Sequence, residues 1–212
     1  MFVVALLGGL LGLCQAPEGV RFEKDIAKFE EQDRLQPVKP GGILFVGSST
    51  IRLWNLKENF PELDALNRGF GGAYMSDVVQ HADRIVLPYK PRLIVLYGGD
   101  NDLNAKKTPE TVRDDYRKLI DKVRKALPGT KIVYVSIRPS PKRVALMDSQ
   151  RKANELIREA MKGDDKQVYL DVWTKLLGSD GQPNPELVVA DMLHPNKAGY
   201  AVMAELLKPL LK

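Results

Sequence analysis

Four short blocks of this sequence carry side chains that could do chemistry. They are Gly47-Ser48-Ser49-Thr50, Gly69-Phe70-Gly71-Gly72, Gly98-Gly99-Asp100-Asn101-Asp102 and Asp191-Met192-Leu193-His194-Pro195. A hydroxyl is a weak nucleophile and needs a base within hydrogen-bond reach. An imidazole base needs a carboxylate to hold its tautomer and to stabilise the imidazolium. A carbonyl under attack needs preorganised N–H donors for its developing oxyanion, each worth about 2.7–4 kcal/mol of barrier. Ser48 or Ser49, His194, Asp191, the glycine amides and Asn101 could together supply these parts, which are those of acyl transfer. Residues three apart on one helical turn point the same way, so Asp191 can reach His194 locally.

Each block alone has a plainer reading. Gly-Ser after a strand is often a turn, and Asx-Gly clusters are usual loop chemistry. Asp191 and His194 could form a structural hydrogen bond or ligate a metal that finds a third ligand elsewhere. Asn101 could cap a helix, and Asp100 with Asp102 could suggest a divalent cation. Asp102, last in its block, is expected to brace the loop by accepting backbone N–H bonds. His81, with Gln80 and Asp83 beside it, reads as a surface residue, while Trp54 and Trp173 read as core.

The elements that must position these blocks alternate. Short apolar or β-rich runs at Ile43–Val46, Ala65–Phe70, Leu93–Tyr97, Ile132–Ile137 and Val168–Val172 read as strands. The continuous run at 43–46 suits a strand buried on both faces. Helical patterns lie between them. One runs from a Ser76 cap to Ile85. Another is opened by Thr108-Pro109-Glu110, which offers a capping hydroxyl, a first-turn proline and an acid against the helix dipole. It carries Val112, Tyr116, Leu119, Ile120 and Val123 and stops near Pro128-Gly129. Asp148 can cap a third, with Ala153, Leu156, Ile157 and Ala160 on one face. Lys197 to Leu211 forms the last, burying Ala201, Met203, Leu206 and Leu207, and Phe22–Glu31 reads as a helix outside the first strand. The alternation predicts an α/β protein, one parallel sheet with helices on both faces. Ligands of such sheets bind outside the carboxyl ends of the strands, where the first three blocks fall. Arg138-Pro139-Ser140-Pro141-Lys142-Arg143 follows the fourth strand onto the same rim. Ser48, Arg138, Lys142 and Arg143 are therefore candidate substrate contacts, although a solvent-exposed loop reads equally well.

Composition bounds the rest. The 212 residues are 44% hydrophobic and 28% charged, with 17 Gly and 14 Pro, which argues against disordered, collagenous and disulfide-scaffold classes. One cysteine, Cys14, excludes an intrachain disulfide and a multi-cysteine zinc site, and two histidines leave only His81 or His194 as an imidazole base. The net charge of +5 is spread along the chain without a basic run, so no nucleic-acid partner is expected. Residues 1–16 are apolar and uncharged, too short for a stable membrane span, and resemble a signal peptide that lacks its charged leader. Cleavage after Ala16 would give a secreted or periplasmic domain over 17–212; an uncleaved amino-terminal helix would leave it cytoplasmic.

The four blocks, in this order, resemble those of the SGNH, or GDSL-type, hydrolase family, whose name comes from Ser, Gly, Asn and His. The resemblance spans Ile43 to the carboxyl end, and within the family is similar to the platelet-activating-factor acetylhydrolase-like and carbohydrate-acetylesterase branches. It implies a flavodoxin-like three-layer α/β/α sandwich with a five-stranded parallel sheet in the order 2-1-3-4-5. It implies Ser49 as nucleophile, His194 as base and Asp191 as its orienter. The oxyanion donors it implies are the amides of Ser49 and Gly72 and the Asn101 side chain. No cofactor and no metal are implied. The chemistry would be hydrolysis of a small ester, such as an acetylated carbohydrate or lipid, with a short acyl group. Lysophospholipase or thioesterase action on longer chains is one alternative, and a non-catalytic carbohydrate-binding module on the same fold is another. The chain departs from the family where Ser48 stands in place of the Asp before the nucleophile. Ser49 is preferred because it holds the third position of the motif.

Overall fold

The computed structural model describes residues 20–212, so the expected signal segment, residues 1–16, and its boundary with the domain lie outside the described residues. The five expected strands form at β1 (Ile43–Gly47), β2 (Ala65–Gly69), β3 (Leu93–Tyr97), β4 (Lys131–Val135) and β5 (Gln167–Leu170). They make one parallel sheet in the order β2-β1-β3-β4-β5, as the family resemblance implies. The helices are α1 (Glu23–Leu35), α2 (Ser49–Arg52), α3 (Leu56–Asn59), α4 (Met75–Ile85), α5 (Asp100–Asn104), α6 (Pro109–Ala126), α7 (Met147–Ala160) and α8 (Lys197–Leu207).

Successive strand residues face opposite sides, and the apolar runs therefore feed two cores. Leu44, Val46, Ile94, Leu96, Ile132 and Tyr134 pack under α1, α4, α6 and α7. Ile43, Phe45, Leu93, Val95, Val133 and Val135 pack under α2, α3 and α8, with Trp54 and Phe60 filling the gap. Fully burying one such Val, Leu, Ile or Phe side chain contributes about 1.5–3 kcal/mol. β1 needs both sets, which is why its sequence is an unbroken apolar run.

Local signals explain most helix boundaries. Thr108 Oγ1 accepts the Thr111 N–H at 3.2 Å, as the cap reading required. α6 buries Val112, Tyr116, Leu119, Ile120 and Val123 as expected. Four expectations are corrected. α4 begins at Met75 rather than behind a Ser76 cap; Asp77 Oδ2 accepts the Tyr74 N–H at 2.8 Å and closes its first turn. α7 begins at Met147, continuing a 3-10 turn over Pro141–Leu146, so Asp148 lies inside its first turn. His81 is not on the surface: it is 2% exposed, its Nε2 lies 2.7 Å from the Arg21 carbonyl oxygen, and its ring packs edge-on to Phe70. Gln80 and Asp83 suggested otherwise, but neighbours one or two positions away occupy other helix faces. His81 shares its face with the buried Val78 and Ile85. At the carboxyl end, α8 stops at Leu207 and a 3-10 turn follows; it buries Tyr200, Met203, Ala204 and Leu207, while Ala201 is exposed.

The register places the carboxyl ends of the first three strands level. Gly47 stands opposite both Gly69 on β2 and Tyr97 on β3. Gly47 has φ +138°, and a Cβ there would fall 1.8 Å from the Tyr97 carbonyl oxygen. Adding a methyl group meets both backbone strain and a backbone clash, so Gly47→Ala is expected to cost about 2–5 kcal/mol. Urea unfolding followed by circular dichroism measures this; a midpoint equal to wild type would contradict it.

Candidate active site

The level strand ends bring three of the four blocks to one rim. Directly after β1 the chain turns into α2, with Ser49 as its first residue and Ser48 before it. The Ser48 N–H is held by the Tyr97 carbonyl at 3.1 Å. The Thr50 carbonyl accepts from the Tyr200 hydroxyl at 2.8 Å, which ties α2 to α8. On the β2 side, the Asn67 side chain donates to the Ile51 carbonyl at 2.7 Å, and Gly72 lies beyond. After β3, Gly99 (φ +107°) opens α5, which carries Asn101.

The fourth block arrives from far along the chain. Asp191 to His194 form a tight turn in which Met192 adopts the left-handed conformation, φ +58°. That conformation folds two amides back onto the carboxylate: Asp191 Oδ1 accepts the Leu193 N–H at 2.8 Å and the His194 N–H at 2.9 Å. Val188 pairs with Pro195, and the Val189 N–H donates to the His194 carbonyl at 2.9 Å, so the turn is closed at its base. Asn196 then caps α8 by accepting the Gly199 N–H at 3.0 Å, and its amide donates to the carbonyls of Glu186 and Val188.

The result is a continuous relay. Asp191 Oδ2 lies 2.6 Å from His194 Nδ1, and His194 Nε2 lies 2.9 Å from Ser49 Oγ. Two residues 145 positions apart thus meet at hydrogen-bond distance. Desolvation pulls the Asp191 carboxyl upward. The hydrogen bonds from the His194 ring and from the His194 and Leu193 amides, with the attraction of the imidazole, outweigh it and hold the group down at about 2. Asp191 is therefore ionised at every ordinary pH and fixes the Nδ1–H tautomer, which leaves the Nε2 lone pair facing Ser49. Ser48 is different. It is fully buried, and its Oγ finds no partner among the described residues. It does not reach the cleft as the substrate contact it was expected to be, because the extended backbone at Ser48 turns its side chain inward.

Three residues with N–H groups to spare, Ser49, Gly72 and Asn101, line one cleft. The Ser49 and Gly72 amides have no acceptor among the described residues, as befits a helix start and an open turn. Asn101 donates one Nδ2 hydrogen to the Ala73 carbonyl at 3.0 Å. Its Oδ1 accepts from Arg143 Nη2 at 2.9 Å, so the amide cannot flip and its second Nδ2 hydrogen remains free. Ser49, Gly72, Asn101 and His194 line one cleft of about 440 Å³ with Asp25, Arg52, Gly71 and Leu193.

The expected contacts after β4 are redistributed. Arg143 is 8% exposed and lies beneath the cleft, with Nη1 on Asp100 Oδ2 at 2.7 Å. It holds Asn101 and is not among the residues lining the cleft. Arg138 is also buried, behind the Ser49-Thr50 turn, with only long contacts of 3.5 Å to Thr50 Oγ1 and the Pro139 carbonyl. Lys142 is exposed, and its amide donates to the Met192 carbonyl at 2.9 Å, joining this segment to the histidine turn. The acids of the third block are paired with cations of the chain. Asp100 pairs with Arg143, while Asp102 accepts from Lys107 Nζ at 2.8 Å and from the Met75 N–H at 3.0 Å. Asp102 braces the loop as expected. Two residues of the site were missed in the sequence: Asp25 and Arg52. The signal for Arg52 was available, since it follows Ser49 by one helical turn; nothing local pointed to Asp25.

A doubly wound parallel sheet with a carboxylate, an imidazole and a hydroxyl hydrogen-bonded in line at its strand ends is the architecture of an α/β hydrolase. The sequence profile of the GDSL-like Lipase/Acylhydrolase family matches residues 53–202, a span that contains Gly72, Asn101, Asp191 and His194. The chain belongs to that family. It is 28% identical over 175 residues to the platelet-activating factor acetylhydrolase IB subunit alpha1 of Rattus norvegicus, covering 80% of this chain and 74% of the relative. Its fold matches a GDSL-like lipase from Bacteroides thetaiotaomicron with TM-score 0.72 at 20% identity, over 88% of this chain and 96% of that one. It also matches an acetylxylan esterase from Geobacillus stearothermophilus with TM-score 0.64 at 14% identity, over 82% and 95%.

Two outcomes follow from the geometry. His194→Ala removes one donor and one attraction from Asp191 but leaves the two backbone amides. The Asp191 midpoint, followed by carboxyl-carbon NMR, is expected to rise from about 2 part of the way to the ordinary aspartate value. An unmoved midpoint contradicts the coupling. Arg143→Ala leaves the buried Asp100 carboxylate without its partner and is expected to cost about 3–5 kcal/mol in urea unfolding.

Proposed function

We propose that this acylhydrolase is a serine esterase that cleaves short-acyl carboxylic esters through an acyl-enzyme. The observation that carries this is the relay itself, with Ser49 Oγ at 2.9 Å from His194 Nε2 and Asp191 at 2.6 Å behind it. His194 takes the Ser49 proton as Oγ bonds to the ester carbonyl carbon. The carbonyl oxygen gathers charge among the amides of Ser49 and Gly72 and the free Nδ2 hydrogen of Asn101. The tetrahedral intermediate collapses as His194 returns the proton to the departing alkoxide, leaving Ser49 acylated. Water then attacks the acyl group, losing its proton to His194, and the acid departs as Ser49 is reprotonated.

The cleft supports a short acyl group. Leu193 is the one large apolar side chain among its lining residues, and the rest are polar, charged or glycine. A long acyl chain would gain little burial there at about 25 cal/mol per Å². The acetyl-ester names of two of the similar proteins agree with this reading. The apolar leader at 1–16 supports a secreted or periplasmic site of action.

Hydrolysis of p-nitrophenyl acetate tests the proposal. Ser49→Ala is expected to lower kcat by about 10⁴-fold or more, and Asn101→Ala by about 10²–10³-fold. Ser48→Ala keeps most of the turnover. Loss of activity in Ser48→Ala with Ser49→Ala unimpaired would overturn the assignment. Because Asp191 stays ionised down to about 2, loss of its charge adds no limb to the pH profile of kcat at ordinary pH, which a pH–rate series checks.

A further inference from the structure

The esterase reading uses Ser49, Gly72, Asn101, Asp191 and His194 and leaves two charged residues of the cleft without a task. Arg52 is the stronger of them. It is the fourth residue of α2, three positions after Ser49, so both side chains leave the helix on one face. It is exposed, and no carboxylate of the described residues lies within 4.0 Å of it. The surrounding guanidinium groups differ: Arg21 pairs with Asp77 and Arg143 with Asp100.

Arg52 is also held in place. A Cβ at Gly71 would lie 2.9 Å from Arg52 Nε, 3.3 Å from Nη2 and 3.4 Å from Cζ. The guanidinium thus lies against Gly71 with Nε and Nη2 nearest, and none of its N–H groups has a hydrogen-bond partner among the described residues. Gly71 does not have a positive φ, so its missing side chain serves space and not conformation. An exposed guanidinium without a partner at the rim of a cleft suits charge-assisted hydrogen bonding to a carboxylate or phosphate.

We propose that Arg52 is a specificity-determining residue that binds an anionic group carried by the ester, a few bonds from the scissile carbonyl. The inference rests on the esterase reading and names its substrate class: esters with a carboxylate or phosphate on either the acyl or the alcohol half. Asp25 lines the same cleft and is likewise exposed and free of a salt bridge among the described residues. Its carboxylate repels the same anion and limits the preference.

The test compares kcat/KM on matched esters: p-nitrophenyl acetate against p-nitrophenyl hemisuccinate, and glyceryl acetate against the acetyl ester of glycerol 3-phosphate. The wild type is expected to favour the anionic member of at least one pair by about tenfold, the value of one charge-assisted hydrogen bond in a partly solvated site. The pair that shows it identifies which half carries the charge. Arg52→Gln is expected to bring that ratio close to one, with the change in KM, and Asp25→Asn to raise it. High salt weakens the preference, as screening requires. A wild type that turns over both members equally overturns the inference and leaves the esterase reading standing. So does an Arg52→Gln variant that slows both members by the same factor. A wild type that hydrolyses none of the four esters overturns both readings.

Discussion

The carboxyl ends of β1, β2 and β3 stop level with one another, and the site depends on how closely the chain can pass over them. The constraint is steric and sits at Gly47 and Gly69. A Cβ on Gly47 would collide with the Tyr97 carbonyl, and one on Gly69 would come within 2.3 Å of the Arg52 amide nitrogen. Two facing residues without side chains let α2 start immediately above the sheet. The Ser49 amide is then an unpaired helix-start donor and the Ser49 hydroxyl points along the rim. Moving α2 outward by the width of a methyl group would separate Ser49 from Gly72 and Asn101 as well as from His194. Hydrogen bonds of 2.6 and 2.9 Å weaken steeply under such displacement.

Charge is distributed in two depths. Below the cleft, Asp100 and Asp102 are buried and paired with Arg143 and Lys107. Burial raises the Asp102 carboxyl, with the bonds from Lys107 and the Met75 amide opposing it. These ions hold geometry: one fixes the orientation of the Asn101 amide, the other fixes the start of α4 against the third block. At the surface, Asp191 and His194 remain in contact with solvent, where a proton can arrive and leave. A carboxylate kept ionised by two backbone amides, in addition to the imidazole, orients the ring without needing deep burial and its desolvation cost.

Much of this was legible in the sequence because it is local. Strand positions follow from apolar runs, the Thr108 cap from a side chain that bonds three residues on, and the Asp191–His194 contact from a three-residue spacing. The hydroxyl pair Ser48-Ser49 was legible as a pair, and the family motif preferred Ser49; of the two, Ser49 is the one in hydrogen-bond reach of His194. What misled were features judged by their sequence neighbours. His81 looked exposed because Gln80 and Asp83 lie beside it, although its helical face is largely buried. Arg143 looked like a rim cation because it follows Pro141 and Lys142 in a proline-stiffened segment, although the 3-10 turn there directs it inward to Asp100.

The sequence by itself determined the strands, most of the helices and the inventory of reactive groups, since periodicity, capping and motif spacing are properties of short stretches of chain. It also limited the imidazole to one of two histidines. Tertiary structure alone decided that His194 meets Ser49 across 145 residues, that Arg143 serves Asn101 from below, and that Arg52 and Asp25 share the cleft with them. The physical reason is that each of these depends on strand order and on close approach between segments, set by the packing of two cores against one sheet and by the glycines that permit contact. No local pattern encodes the distance between residues that meet only after the sheet has formed.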